Sequence, residues 1–294
     1  MDKKINISKQ INLDYFEFPA NKLKSKLVAT KFLFFNQKYE LSQPAVFVCN
    51  KTTPYDKYLI SSIMVGNYVF LKDDVIQALY KNVLSVAAKK EIFKQFELFK
   101  EYGYSVIIFP EKNITIFGNC SKLPSVITEF LFETGFELKF LYLIGTYYSS
   151  PIWSKLHRKT ETRYFQQFKI EHDAINNKSE TERNKIINNL MPSSASVYAS
   201  KFPLALKSNM LAENIDSIMY CCPHCKTFFS IYSEYNCIKC RECGTLVEFS
   251  KDGKILFSNT ITSFDDIERF LYNELKHKEF DNNPLVCYDT AIML

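Results

Sequence analysis

Two short apolar runs, Ala45–Cys49 (AVFVC) and Ser105–Phe109 (SVIIF), limit what this chain can fold into more than any other stretch. The first offers no polar residue to solvent on either side, and the second only its leading serine. Strands of that kind must be covered on both faces, the condition of a parallel sheet flanked by helices. Both runs lead into polar turns that carry a carboxylate, Asp56 within Pro44–Asp56 and Glu111 within Tyr104–Gly118. The crevice beyond such strand ends is where α/β sheets present functional groups.

The flanking segments agree. Asn67–Lys72 is a second strand, Tyr58–Met64, Val75–Leu84 and Ala87–Tyr102 are helical, and Asp73 or Asp74 caps the second of these helices. Leu123–Thr134 is a helix with Gly135 as its C-cap, and Glu137–Ile144 is another buried strand. This rhythm predicts an α/β fold with a mixed, mostly parallel sheet. Residues 1–19 form an edge strand or arm. Asn21–Phe35 is basic and amphipathic, a helix that packs on the sheet or lies on an anionic membrane. Beyond Pro151, Arg163–Ile170 alternates like a solvent-facing strand, and Ser179-x-x-Glu182 opens a helix through Leu190. Met191–Asn209 has a linker composition.

Six of the nine cysteines fall within Cys221–Cys243, which points to metal rather than a disulfide framework. Cys222, Cys225, Cys240 and Cys243 make a C-x2-C-x14-C-x2-C pattern, two knuckles that supply four thiolates to a tetrahedral Zn²⁺. Cys237 is a rival ligand, but Gly244 and a following strand favour Cys240 and Cys243. Thr227–Tyr232, Thr245–Phe249 and Ile255–Ser258 are the expected ribbon strands, and Ser263–Lys278 a capped helix behind them. The zinc is expected to be structural. Lys226, Lys239 and Arg241 are offset by Glu234 and Glu242, so no nucleic-acid partner is expected.

The 37 basic residues include only five arginines, none before Arg158. A phosphate held by the first half of the chain must therefore meet lysine or backbone N–H groups. No apolar run reaches the ~18 residues of a membrane span, and no signal-peptide core opens the chain. A cytoplasmic protein, peripheral on the inner face of the membrane, is the expectation.

Asn50-Lys51-Thr52-Thr53-Pro54-Tyr55-Asp56 and Phe109-Pro110-Glu111-Lys112 together resemble the two signatures of the glycerolipid acyltransferase family. That family acylates lysophospholipids and glycerol phosphates, and its strands run into Asn-His-x-x-x-x-Asp and Phe-Pro-Glu-Gly. The resemblance extends over Ala45–Ser154. Pro151-Ile152-Trp153-Ser154 and the cysteine pairs are similar to a bacterial subgroup with a C-terminal zinc ribbon. It implies an acyltransferase-like domain over 1–190, a linker over 191–216, the ribbon over 217–260, and a helix and tail over 261–294. It further implies an acyl-CoA or acyl carrier protein donor and a lysophosphatidate-like acceptor at a membrane surface.

In the family a histidine takes the acceptor's proton and the aspartate orients it. Here Lys51 replaces that histidine, Lys112 the glycine, and Ile114 a later arginine. Asp56 and Glu111 match the family's carboxylates, so Lys51, Asp56 and Glu111 are the candidate catalytic set. Asn50, Thr52, Phe109, Pro110, Lys112 and Lys72 are candidates for substrate contact. Lys51 could act as a base only if burial lowered its pKa far below about 10.4, and a nearby Asp56 opposes that. An inert Lys51–Asp56 ion pair is expected, with His157 a surface residue. The readings that remain are a degenerate acyltransferase, a non-catalytic relative that binds lipid or a partner, and, well behind, a nucleic-acid-associated ribbon protein.

Overall fold

The AVFVC run forms the middle strand of a seven-stranded sheet, as its apolar composition requires. The computed structural model describes residues 10–21, 33–34, 38–191, 194–201, 204–257, 261 and 263–276. In chain order, β1 (Phe16–Glu17), β2 (Leu33–Phe34) and β3 (Tyr39–Glu40) precede β4 (Val46–Cys49), α1 (Asp56–Ile63), β5 (Met64–Val65) and β6 (Tyr68–Leu71). Next come α2 (Asp73–Tyr80), α3 (Val86–Glu101), β7 (Ser105–Ile108), α4 (Ser125–Glu133), β8 (Leu138–Ile144) and the short α5 (Thr146–Ser149). The chain continues through β9 (Glu161–Ile170), α6 (His172–Asn176), α7 (Glu180–Leu190) and α8 (Ala195–Lys201). The C-terminal part holds β10 (Ile231–Glu234), β11 (Cys237–Cys240), β12 (Leu246–Glu248) and α9 (Phe264–Lys276).

The sheet runs β1-β6-β7-β4-β8-β9-β2. Its four central strands are parallel, while β1 and β9 pair antiparallel with β6 and β8. Alternation along β4 sends Val46 and Val48 to one face, where Ile92, Phe96, Phe99 and Phe130 of α3 and α4 cover them. Phe47 and Cys49 point to the other face and meet Ile60 and Ile63 of α1. Each fully buried aliphatic or aromatic side chain contributes ~1.5–3 kcal/mol, so both layers are needed to hold the sheet. Ser85 caps α3 by accepting the Ala88 N–H at 3.1 Å, and the predicted Ser179/Glu182 capping box is present. Gly135 sits just past α4 at φ 69°.

Three local expectations change. Most of the predicted helix over 21–35, residues 22–32 and 35, lies outside the described residues; Leu33–Phe34 is a strand, parallel to Glu161–Thr162. Thr227–Tyr232 becomes a strand only from Ile231, because Lys226 and Phe229 take left-handed φ values of 62° and 57° that no strand accommodates. Of the predicted strand at 255–258, the described part is a single bridge between Ile255 and Phe249.

The ribbon strands β10-β11-β12 form a separate antiparallel sheet. Its core is continuous with the main domain: Tyr147, Tyr148 and Trp153 pack with Phe249 and Phe264. Leu204 and Leu206, from the stretch with linker composition, are buried in the same cluster. Gly253, at φ 87°, presses so close that a Cβ there would lie 2.9 Å from the Tyr148 ring. Among the described residues no helix is long and apolar enough to cross a membrane.

Candidate functional site: a cleft at the strand ends and a four-cysteine centre

The turns after β4 and β7 and the start of α2 converge at the carboxyl ends of the parallel strands. They border a cleft of about 500 Å³, lined by Lys51, Thr53, Asp56, Lys57 and Asp73 together with Phe18, Phe70, Phe109 and Ile114. Asp56 opens α1 and turns its carboxylate back on the loop. Oδ2 accepts the N–H groups of Thr52 at 2.6 Å and Thr53 at 2.8 Å, and Oδ1 accepts the Thr53 hydroxyl at 3.0 Å. Burial pushes its pKa up to about 6 despite these bonds.

Glu111 is also buried and accepts the Lys51 N–H, which ties the two motif turns together. Burial raises its pKa to about 7, the Lys51 N–H and the Cys120 thiol oppose the rise, and Asp56 adds to it. Burial, with Glu111 beside it, pushes the Cys120 thiol well above its usual range.

Lys51 does not pair with Asp56. Its Nζ lies 2.9 Å from Asp73 Oδ2, because Asp56 faces inward to the backbone while Asp73, at the start of α2, faces the cleft. Lys57 approaches Asp73 Oδ1 at 3.4 Å and also pairs with Glu17 of β1. Burial works against the Asp73 carboxylate, but the two lysines hold it below its ordinary pKa. The result is two cations, Lys51 and Lys57, interlocked with two anions, Asp73 and Glu17, beside the aromatic part of the wall.

The remaining predicted site residues are placed as follows. Asn50 receives the Leu143 N–H at 2.8 Å and donates to the Leu143 carbonyl at 3.2 Å, clamping β4 to β8. The Thr52 hydroxyl is 2.6 Å from that of Thr146. Phe109 stacks on Phe70 with ring centroids 6.2 Å apart, and the Pro110 carbonyl accepts the Tyr80 hydroxyl at 3.2 Å. Lys112 is exposed and Lys72 half-exposed; neither lines the cleft. His157 is exposed but rests its ring 5.1 Å from Tyr55, the residue before Asp56. Among the described residues no histidine lines the cleft. Lys57, Glu17, Phe18 and Phe70 join it without a motif to announce them; Asp73 was visible only as a helix cap.

At the other centre, the Sγ atoms of Cys222, Cys225, Cys240 and Cys243 lie within 4.8 Å of one another. Cys222–Cys243 measures 3.8 Å and Cys225–Cys240 3.6 Å. Four thiolates at ~2.3 Å from a tetrahedral zinc stand ~3.8 Å apart, so the donor set fits such an ion. The two knuckles repeat each other. Cys222 and Cys240 donate their N–H groups to Thr227 and Thr245, and accept from Lys226 and Gly244. Lys226 and Gly244 occupy the same left-handed position, at φ 62° and 68°. Cys237 lies on β11 between Glu234 and Glu248, outside the group. Lys226 pairs with Glu274 and sits 4.3 Å over the Phe270 ring, fastening its knuckle to α9.

No family model matches the chain, and no curated protein does. Among solved structures, the crystal structure of the 1-acyl-sn-glycerophosphate (LPA) acyltransferase PlsC from Thermotoga maritima aligns with 57% of this chain and 76% of its own. The identity is 14% and the TM-score 0.42. A likeness this distant assigns no chemistry to the cleft.

Proposed function

We propose that this is an acyltransferase-like protein of phospholipid metabolism that has kept the family's cleft and lost its base, and that it binds a lysophosphatidate-like lipid without transferring an acyl group. One observation carries the reading. The position that needs a histidine holds Lys51, ion-paired to Asp73 at 2.9 Å, and the motif aspartate serves its own turn. A lysine engaged in an ion pair is a charge partner and not a base aimed at an acceptor hydroxyl. The lining suits an amphipathic ligand. Lys51 and Lys57 meet an anionic head as point charges, and Phe18, Phe70 and Phe109 meet the chain. The metal at the cysteines is zinc in this reading and serves folding alone.

A catalytic alternative has one support, Glu111, whose pKa of about 7 suits a general base. It is the weaker reading, because Glu111 is occupied by the Lys51 N–H and is not among the residues that line the cleft. Zinc-loaded protein titrated with lysophosphatidate and then supplied with long-chain acyl-CoA separates the two. Saturable binding, weakened by Lys51→Ala, with no release of CoA, is expected. CoA release that disappears in Glu111→Gln but persists in Lys51→Ala would overturn the non-catalytic reading.

A further inference from the structure

We propose that the lysine-lined depression where the main domain meets the ribbon is the face this protein lays against an anionic lipid bilayer. The proposal rests on the lipid reading above and adds the surface that meets the membrane. Lys159 and Lys207 oppose each other in an antiparallel bridge, with the Lys207 N–H donating to the Lys159 carbonyl at 2.6 Å. Residues so opposed project to the same side, and like charges there are destabilising unless something neutralises them. The Leu206 N–H donates to the Lys251 carbonyl at 2.9 Å, which brings a third lysine from the ribbon's 250–254 turn. Lys207 and Lys251 line a shallow depression of about 640 Å³.

Among the described residues none of these three lysines is paired with a carboxylate. The acid in the lining, Asp252, is engaged by Lys254 at 2.8 Å. Aliphatic side chains flank the lysines in sequence: Ile152 and Leu156 are 51% and 40% exposed on the loop that leads to Lys159, and Leu256 is 59% exposed after the ribbon turn. That loop is anchored by buried Trp153 and Arg158 and by the Ser154 hydroxyl, which donates to Glu213 at 2.7 Å. Lysines interspersed with exposed aliphatics match a bilayer interface. The ammonium groups reach headgroup phosphates while the aliphatic tips enter the acyl boundary.

A nucleic acid fits less well. The one arginine in these segments, Arg158, is buried with its guanidinium 4.6 Å from the Trp153 ring, and the depression contains no aromatic ring on which a base could stack.

The test is co-sedimentation of the full, zinc-loaded chain with phosphatidylcholine vesicles, with and without phosphatidylglycerol. Binding only to the anionic vesicles, falling steeply with salt, is expected. Each of Lys159→Ala, Lys207→Ala and Lys251→Ala should weaken it by about 5-fold, the effect of ~1 kcal/mol per surface lysine. Wild-type protein that ignores anionic vesicles overturns the proposal, as does a triple variant that sediments like wild type. So does a single-stranded RNA that binds more tightly than vesicles through the same three lysines. Titration of the triple variant with a soluble short-chain lysophosphatidate keeps the two readings apart. Cleft binding without vesicle binding in the wild type sinks only the membrane face, and vesicle binding without cleft binding sinks only the cleft.

Discussion

Glu111→Gln tests whether the buried carboxyl between the two motif turns carries the protonation that its surroundings impose. Glutamine keeps the shape and an oxygen to accept the Lys51 N–H, and removes only the charge. The folded protein raises the Glu111 pKa from an ordinary 4.5 to about 7. The folded state therefore holds this proton after the unfolded chain has released it, and stability is complete below the unfolded value and declines as pH rises to about 7. At pH 8 the full gap is expressed, an upper value of ~3 kcal/mol for this one group. Asp56, raised to about 6, adds a decline of the same sign that ends at a lower pH than that of Glu111. Urea unfolding at about pH 4, 5, 6, 7 and 8 reads the effect. The variant is expected to match wild type at the acid end and to be up to ~3 kcal/mol more stable at the alkaline end. Parallel stability–pH curves for the two proteins would refute the reasoning, because Glu111 would then be no more reluctant to ionise in the fold than in the open chain.

Asp73→Asn removes the carboxylate paired with Lys51, while Lys57 keeps its partner Glu17. The Lys51 pair is partly exposed and worth at most ~1 kcal/mol, so lysophosphatidate should bind up to about 5-fold more tightly in calorimetry, and unchanged affinity would place the head group elsewhere. Metal analysis is expected to find one zinc per chain in wild type and in Cys237→Ser, and none retained in Cys222→Ser; the reverse pattern would mean that the cluster is misassigned. At Lys226, glycine relieves the left-handed backbone while alanine does not, and both lose Glu274. Lys226→Gly is therefore expected to be ~1 kcal/mol more stable than Lys226→Ala in denaturant unfolding.

The parts of this protein that could be read from its sequence are those decided by near neighbours. Val46–Cys49 is apolar on consecutive residues, so it had to be a strand covered on both sides. Ser179 and Glu182 cap their helix within one turn, and each cysteine pair closes its own knuckle. The site depended on distant residues. Lys51 reaches Asp73 because β4, β7 and β6 run parallel, so the turn after β4 and the start of α2, after β6, share the carboxyl edge of the sheet and a long side chain spans the gap. Spacing within the motif suggested Asp56 instead, five residues on, but that carboxylate has three donors from Thr52 and Thr53 and no reason to turn outward. Lysines 159, 207 and 251 are likewise scattered in sequence and meet only through a bridge and a backbone hydrogen bond.

The packing of Tyr147, Tyr148 and Trp153 against Phe249 and Phe264 has a consequence for how this protein would be taken apart. Cutting the chain ahead of the cysteines strips the cover from three large aromatic side chains, and the fragment left behind exposes a sticky patch rather than a clean surface. A metal bound by the four cysteines would share its binding energy through the same contact. A chelator would act on the cysteines, yet the main domain is expected to melt with the ribbon as one cooperative unit, so a zinc ion held there would set how much of the whole chain stays folded.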